Sequence, residues 1–584
     1  MSQSLFGVVG DGEAIGAATI EEAMRKLVIG IAVLLTLVVG ALALAVTNVN
    51  QLLEENRDRL AALASDTAGR AVRFDRAEVA FSQGLVIRLD GLRVGEDPRF
   101  GESDFLALDS AVVGVEFWPA LSRRIEVSGV RLEGPTIRLI QTAEGFNFSS
   151  LGAAERGSDS APDSSQESQP LALAIAAFEI RAGTIVFEDQ STDPGLSLTI
   201  EDFETSGTDL SLDGPVAITF SGLLRSTQGD SRIASLFEGQ LEIEDLDSGA
   251  GRLRLRSPSF HPLLLGLQFE DADRIERLDA VDLEIGLPGN SVASSYRISL
   301  DSSAGHLAGF DFEELHVKLG YGESKLELER LTIGLAGGKV EVSGDMTFGE
   351  AGRSPFDLET RLRDLDLGEL VAILLERPRG LVSGRIDGDV SLSGDSLEWE
   401  TLKRSLAGKV RLEVGQGALE NTNLLSSLVN RLVADPGLGA LAAQSIRDVA
   451  PTALQGDRTT FDSVILALDV AQGAIRADAL ELETDDFTIR AAGTLRLDGA
   501  VSGKGTIRFS EDLSRKILAK AGQLAPLLGE GDVVELPLRL GGSASSPSLR
   551  PDLNALAANA RASATQEVTA RAAQKLTDAI FGKK

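Results

Sequence analysis

Apolar and polar residues alternate with a period of two along most of this chain, which predicts strands with one apolar and one wet face. Leu85, Ile87 and Leu89 are separated by Val86 and Arg88, Ile125 and Val127 flank Glu126, and Ile137 and Leu139 flank Arg138. The pattern returns further on, with Leu326 and Leu328, Val340 and Val342, and Val410, Leu412 and Val414. It continues through Val464, Leu466, Leu468 and Val470, Leu480 and Leu482, Leu495 and Leu497, Ile507 and Phe509, and ends with Leu536, Leu538 and Leu540. Turn dipeptides punctuate the series at Asp213-Gly214, Gly337-Gly338, Asp387-Gly388, Asp498-Gly499 and Gly541-Gly542. No fixed repeat length emerges, which disfavours a regular solenoid or propeller.

The pattern breaks in a few places. Leu27 to Val46 is a run of twenty residues without a charge, and at about 1.5 Å per residue it matches a bilayer's hydrocarbon core. Arg25 and Lys26 precede it, and the first cation after it is Arg57, beside Glu54 and Glu55. That asymmetry predicts a cytoplasmic N-terminus and a body outside the cytoplasm. The run exceeds a signal-peptide core, so an uncleaved anchor is expected, with cleavage after Ala43-Leu44-Ala45 as the rival. Thr47 to Arg70 reads as helix, with Leu52, Leu53, Leu60 and Leu63 on one side. Residues 153–170 (AAERGSDSAPDSSQESQP) read as a flexible linker. Three later helical stretches are expected: Asn421–Val449 broken at Pro436-Gly437, Glu511–Leu528, and Asp552–Phe581, the last capping a sheet edge.

Composition narrows the function. Among 584 residues, 88 acids against 56 bases give a net charge of −32, which repels phosphate backbones and excludes nucleic acid as partner. Cysteine is absent and histidine occurs three times, so thiol chemistry and zinc–thiolate sites are excluded. Gly437-Leu438-Gly439 follows a helix rather than a strand and is no dinucleotide fingerprint. His306 and His316 lack convergent partners, Asp485-Asp486 has no specificity in so acidic a chain, and the sequon Asn147-Phe148-Ser149 supports nothing. No catalytic residue, metal or cofactor is expected. What remains is a long apolar face, either sealed in a sandwich or covered by acyl chains along an open groove. Aliphatic lining and only 5% aromatics lean toward the groove.

The ends of the chain resemble the AsmA-like family of bacterial envelope proteins. The resemblance lies in Phe81–Phe117, in the block WPALSRRIEVSGVRLEGPTIRLI (Trp118–Ile140) and in EGFNFSSLG (Glu144–Gly152). Toward the C-terminus it lies in Gly408–Leu425, Ala474–Leu497 and Glu535–Leu553. The resemblance implies a mainly β protein: one N-terminal transmembrane helix, then an elongated, twisted, mostly antiparallel sheet with an apolar groove, a few helices and a closing amphipathic helix. The expected division is a cytoplasmic tail (1–26), the membrane span (27–46), a chorein-like module (47–152), the linker (153–170), a central β body (171–407), a C-terminal β region with helical insertions (408–550) and the last helix (551–584). The implied role is bridge-type transfer of phospholipid between inner and outer membranes, with support of outer-membrane assembly and a possible membrane-protein partner. The alternative is a non-transporting assembly factor that pairs with outer-membrane proteins at a β edge. The candidate groove lining is the aliphatic rows named above, less Ile125, Val127, Val470, Ile507 and Phe509.

Overall fold

The computed structural model describes residues 49–552, except 82–84, 117–126, 152–173, 192–194, 212–213, 227–232, 246–247, 266–275, 290–294, 308, 350–352, 375–379, 434–437, 497–498, 523, 525–532 and 544–545, together with 554, 555, 558 and 561. The expected membrane span, the linker at 153–170 and nearly all of the last helix lie outside the described residues. Among the described residues no helix is long and apolar enough to cross a membrane. The chain divides into two compact units, residues 1–323 and 324–584.

The first unit opens with helices α1 (Val49–Glu55) and α2 (Arg57–Ala68), the second stopping at Gly69 in the left-handed conformation, φ 68°. Leu53, Leu60, Ala64 and Ala68 are buried, whereas Leu63 is 47% exposed. Leu63 therefore leaves the expected apolar side, because the line turned to the sheet runs through Ala64, about 100° further round the helix. Seven strands follow: β1 (Val72–Arg73), β2 (Arg76–Phe81), β3 (Leu85–Gly95), β4 (Asp104–Val115), β5 (Val127–Glu133), β6 (Thr136–Thr142) and β7 (Gly145–Phe146). Strands β2 to β5 pair antiparallel in order. Strand β8 (Ala174–Asp189) then runs parallel to β5 and, further along, to β6. From there β9 (Leu196–Ser211), β10 (Val216–Ser226), β11 (Ala234–Asp245), β12 (Ala250–Phe260), β13 (Arg277–Pro288), β14 (Tyr296–Leu307) and β15 (Phe310–Gly322) each pair antiparallel with the strand before.

The second unit repeats this meander with β16 (Lys325–Leu335), β17 (Gly338–Thr347), β18 (Phe356–Asp366), β20 (Arg385–Gly394), β21 (Ala407–Val414) and then β24 (Ser463–Ala471), β25 (Ala474–Glu483), β26 (Phe487–Arg496), β27 (Val501–Phe509), β28 (Glu535–Ser543) and β29 (Ser546–Pro551). The short β19 (Val382–Ser383), β22 (Gly417–Leu419) and β23 (Thr459–Phe461) form a separate three-stranded sheet. Helices α5 (Leu424–Leu432), α6 (Leu438–Val449) and α7 (Glu511–Lys520) fall inside two of the expected helical stretches. Asn423 caps α5 through a side-chain oxygen 2.7 Å from the Ser426 N–H. Helices α3 (Leu367–Leu374) and α4 (Trp399–Ser405) were not expected.

Several strands hold a non-glycine residue in the left-handed region: Ala182 in β8, Asp202 in β9, Ala280 in β13, Glu314 in β15 and Asp364 in β18, at φ 49° to 53°. At Ala182, Asp202 and Asp364 the ladder shifts register in a β-bulge, and a bulge reverses which parity of residue faces which side. In β18, Phe356, Leu358 and Leu362 precede Asp364 and Leu365 follows it; the extra residue keeps all four on one face. The turn near Gly337 is real, with Ala336 and Gly337 both at positive φ between β16 and β17. Asp387-Gly388 is not a turn but lies inside β20, where Gly388 faces Leu412 across the ladder.

Candidate functional site

Register places the second unit's apolar residues in rows that cross the strands, since cross-strand partners point to the same face. One row runs Val340, Leu362, Gly388, Leu412, Leu466, Leu480, Ala491, Gly505 and Leu538. Beside it on one side lie Val342, Thr360, Val390, Val410, Leu468, Ala477 and Gly493, and on the other Leu365, Ile386, Val414, Val464, Leu482, Ile489, Ile507 and Leu536. A further row holds Leu328, Gly344, Leu358, Leu392, Gly408, Val470, Ile475 and Leu495. The face thus spans ten strands, about 45 Å at about 4.8 Å per strand.

This face is covered unevenly. Val414, Leu482, Leu536 and Leu538 are buried with Leu425, Leu428, Val429 and Leu432 of α5, Ile446 of α6 and Ile517 of α7. That end is a sealed core. Leu326, Leu328, Val342, Val410, Leu466, Leu468, Leu480, Leu495 and Leu540 are half-buried, and neither hydrophobic core cluster includes them. Val340, Leu412 and Val464 stand at the margin, half-buried but packed on the sealed core. Leu497 lies outside the described residues.

The first unit shows the same division. Leu85, Ile87 and Leu89 are buried beneath Leu53, Leu60, Ala64 and Ala68 in one closed cluster that reaches Phe178 and Ile180 of β8. Ile137 and Leu139 are half-buried on β6, Leu139 packed on that cluster. Beyond β8 the row Ile180, Thr205, Phe220, Gly239, Leu255, Leu283, Leu300 and Val317 crosses to β15. A parallel row holds Phe178, Gly207, Ile218, Leu241, Leu253, Ile285, Ile298 and Leu319. From Phe220 and Ile218 onward these side chains are only half-buried. Among the described residues the 3₁₀ turn Pro262–Leu265 packs near β10 and no helix covers the rows. An apolar sheet face with no second layer is what a soluble monomer ordinarily avoids.

The opposite face is charged. Arg254 and Arg256 pair with Glu284 and Asp282 at 3.1 Å, Arg225 with Glu201 at 2.8 Å, and Arg490 with Glu481 at 2.7 Å. The two larger hollows open here, about 610 Å³ around Glu179, Glu204, Glu238 and Arg256, and about 440 Å³ around Arg361, Asp389, Lys409 and Asp469. Their lining is that of a wet surface and does not suit an acyl chain. His306 and His316 lie on this hairpin's β14 and β15, paired with Asp311 at 2.8 Å and with Asp301 at 2.5 Å. Among the described residues no group of acids and histidines could hold a metal ion.

One polar cluster is buried. The Arg70 guanidinium, just past α2, donates to Glu96 Oε1 at 3.2 Å, to the Asn147 carbonyl and to Ser150 Oγ at 2.8 Å. Asn147 Nδ2 donates to Glu96 Oε2 at 2.7 Å and to the Arg138 carbonyl at 2.9 Å, while its Oδ1 accepts from the Ile140 N–H at 3.0 Å. Burial lowers the Arg70 pKa despite the adjacent Glu96 and Asp97 carboxylates. Hydrogen bonds from Arg99 hold Asp97 well below the usual carboxylate range. The cluster ties α2, the β3–β4 loop and the EGFNFSS segment together, so its chemistry is structural; Asn147, fully buried, is no glycan acceptor.

Each unit is an antiparallel meander with an open aliphatic face, and the first begins with a helix-covered β module. The sequence profile of the AsmA family matches residues 22–247 and 300–480. The chain belongs to the AsmA family, and with it goes a role related to outer-membrane assembly or lipid transport. No curated protein matches it closely enough to narrow that role.

Proposed function

We propose that this chain is a single-pass inner-membrane protein, its N-terminus cytoplasmic and its body in the periplasm, that moves phospholipid between inner and outer membranes without catalysis. The observation that carries this reading is the abrupt end of cover on the apolar face. Leu536 and Leu538 are 2% exposed under helices, whereas among the described residues Leu466, Leu468 and Val410 on the same face are half-buried and belong to neither core cluster. At about 25 cal/mol per Å², leaving such a face in water is costly, and acyl chains can cover it without a fixed pose. The uncharged run 27–46 with Arg25 and Lys26 before it supports the anchor and its orientation.

The assembly-factor reading needs a free strand edge. Edge strand β29 carries Pro547 and Pro551, which have no N–H to offer an incoming strand. That composition argues against strand addition there. Native mass spectrometry of the protein purified from its own membranes tests the proposal. Bound phospholipid at one or more per chain is expected; a stoichiometric protein partner with no lipid would favour assembly instead.

A further inference from the structure

The open face of the first unit carries few polar side chains: Ser257 and Ser302, buried and bonded to the Leu236 and Asp279 carbonyls, and Thr205 at its start. Thr205 of β9 sits in the row between Ile180 and Phe220, its register partners on β8 and β10. It is 8% exposed, and its hydroxyl Oγ1 has no hydrogen-bond partner. A buried hydroxyl without a partner calls for an explanation, because desolvating it without compensation costs free energy. Ordered water is a poor one. A buried water needs two or more polar partners, and the register neighbours Ile180, Phe178 and Phe220 bring only apolar side chains. The β8–β9–β10 ladders pair the backbone at Thr205 and shift register close by, between Ile180 and Gly183 and between Ser221 and Leu223.

Phe220 leans away from Thr205: a Cβ on Gly239, on the far side, would lie 2.4 Å from the ring's Cζ. Asp202 and Asp209, both in the left-handed conformation, bracket Thr205 along β9. Thr205 lies between Phe203 and Leu210 of β9, which pack against the closed cluster, and the half-buried rows begin on the next strand at Ile218 and Phe220.

Building on the lipid-path reading, we propose that Thr205 is a hydrogen-bond donor to an acyl-ester carbonyl of a diacyl glycerolipid, a polar station at the start of the open face. An acyl chain alone offers no acceptor, whereas the ester linkage places a carbonyl at the root of each chain. The site thus distinguishes ester-linked from ether-linked lipids that are otherwise alike.

The test uses the full chain in detergent, exchanged against vesicles holding equal amounts of diester and diether phosphatidylethanolamine, with bound lipid identified by mass spectrometry. The wild type and T205S should hold diester over diether by about threefold to tenfold, the range of one net hydrogen bond. The isosteric T205V should bring that ratio to about one without lowering the urea midpoint of the protein. A wild type without preference, a T205V variant that keeps it, or a clear loss of stability in T205V would overturn the proposal. Failure of the wild type to hold either lipid would overturn the lipid path itself.

Discussion

Phe220 lies flat across Gly239, its register partner on the next strand, with the ring's Cζ 2.4 Å from where a Cβ would stand. Phe237 does the same to Gly222 in the reverse direction, and the two rings sit 6.2 Å apart at 58°. Phe312 covers Gly305, Phe356 covers Gly394 and Phe461 covers Gly417 in the same way. A glycine leaves a hole in the sheet surface, and the ring opposite fills it instead of standing upright. Replacing Gly239 with Val should force the Phe220 ring upward, costing about 1–3 kcal/mol and reducing bound lipid. The double variant F220A/G239V should recover part of the loss of bound lipid, because a Cβ at 239 would also lie 2.8 Å from the Arg254 carbonyl oxygen. Urea melts and lipid counts on the three proteins check this; additivity of the two changes would show that the residues do not act as a pair.

The two parts of the second unit's face should respond differently to a charge. Ile507→Asp places a carboxylate in the sealed core, at 1% exposure, and should cost several kcal/mol, enough to unfold that end. Leu466→Asp and Leu468→Asp place it among half-buried side chains outside the sealed core, with water within reach. These variants should fold with a midpoint near that of the wild type yet lose bound lipid. Equal destabilisation at all three positions, read by circular dichroism and urea titration, would mean that the whole face is sealed.

The Arg70–Glu96 pair governs the stability of the N-terminal module. Both side chains are almost fully buried, 3% and 0% exposed, so Arg70→Met strands a buried carboxylate and should cost about 3–5 kcal/mol. Restoring neutrality with R70M/E96Q should return part of it. Asp97 adds a pH dependence. Its folded pKa is depressed, so its contribution is fully present above about pH 4 and is lost as the pH falls toward the depressed value. A module that melts at the same urea concentration at pH 7 and pH 3 would contradict this assignment.

No ionisable group should behave as a catalyst. Replacing His261, His306 and His316 together with Gln removes two exposed cross-strand pairs and one contact to the Glu276 carbonyl. Envelope integrity in cells should stay within a few-fold of normal, because loss of a general acid or base typically costs about 10²–10⁴ in rate.

The strands were legible because their apolar partners alternate without interruption, as in Val410, Leu412 and Val414. The left-handed bulges were not. A period-two reading follows Leu326 and Leu328 and then loses the strand, although the ladder shifts register and carries Leu331 and Ile333 onward on the same face. Gly388 was misread as a turn because the sequence does not say that Leu412 needs the space above it: a Cβ there would lie 2.5 Å from Leu412 Cδ2. Nor does alternation reveal cover. Leu466 and Leu536 belong to equally regular aliphatic runs, and only packing shows that one lies beneath helices. The Thr205 hydroxyl was hidden for the opposite reason, since one threonine in a strand is ordinary until its missing partner is seen.

The central claim is that the half-buried apolar face holds lipid. A photo-crosslinking residue at Leu466, on that face, and one at Glu413, which points to the charged face one residue from Leu412, test it directly in living cells. The account predicts a phospholipid adduct at Leu466 that is absent at Glu413. Capture of no lipid at Leu466 by the folded protein, or equal capture at both positions, would contradict it.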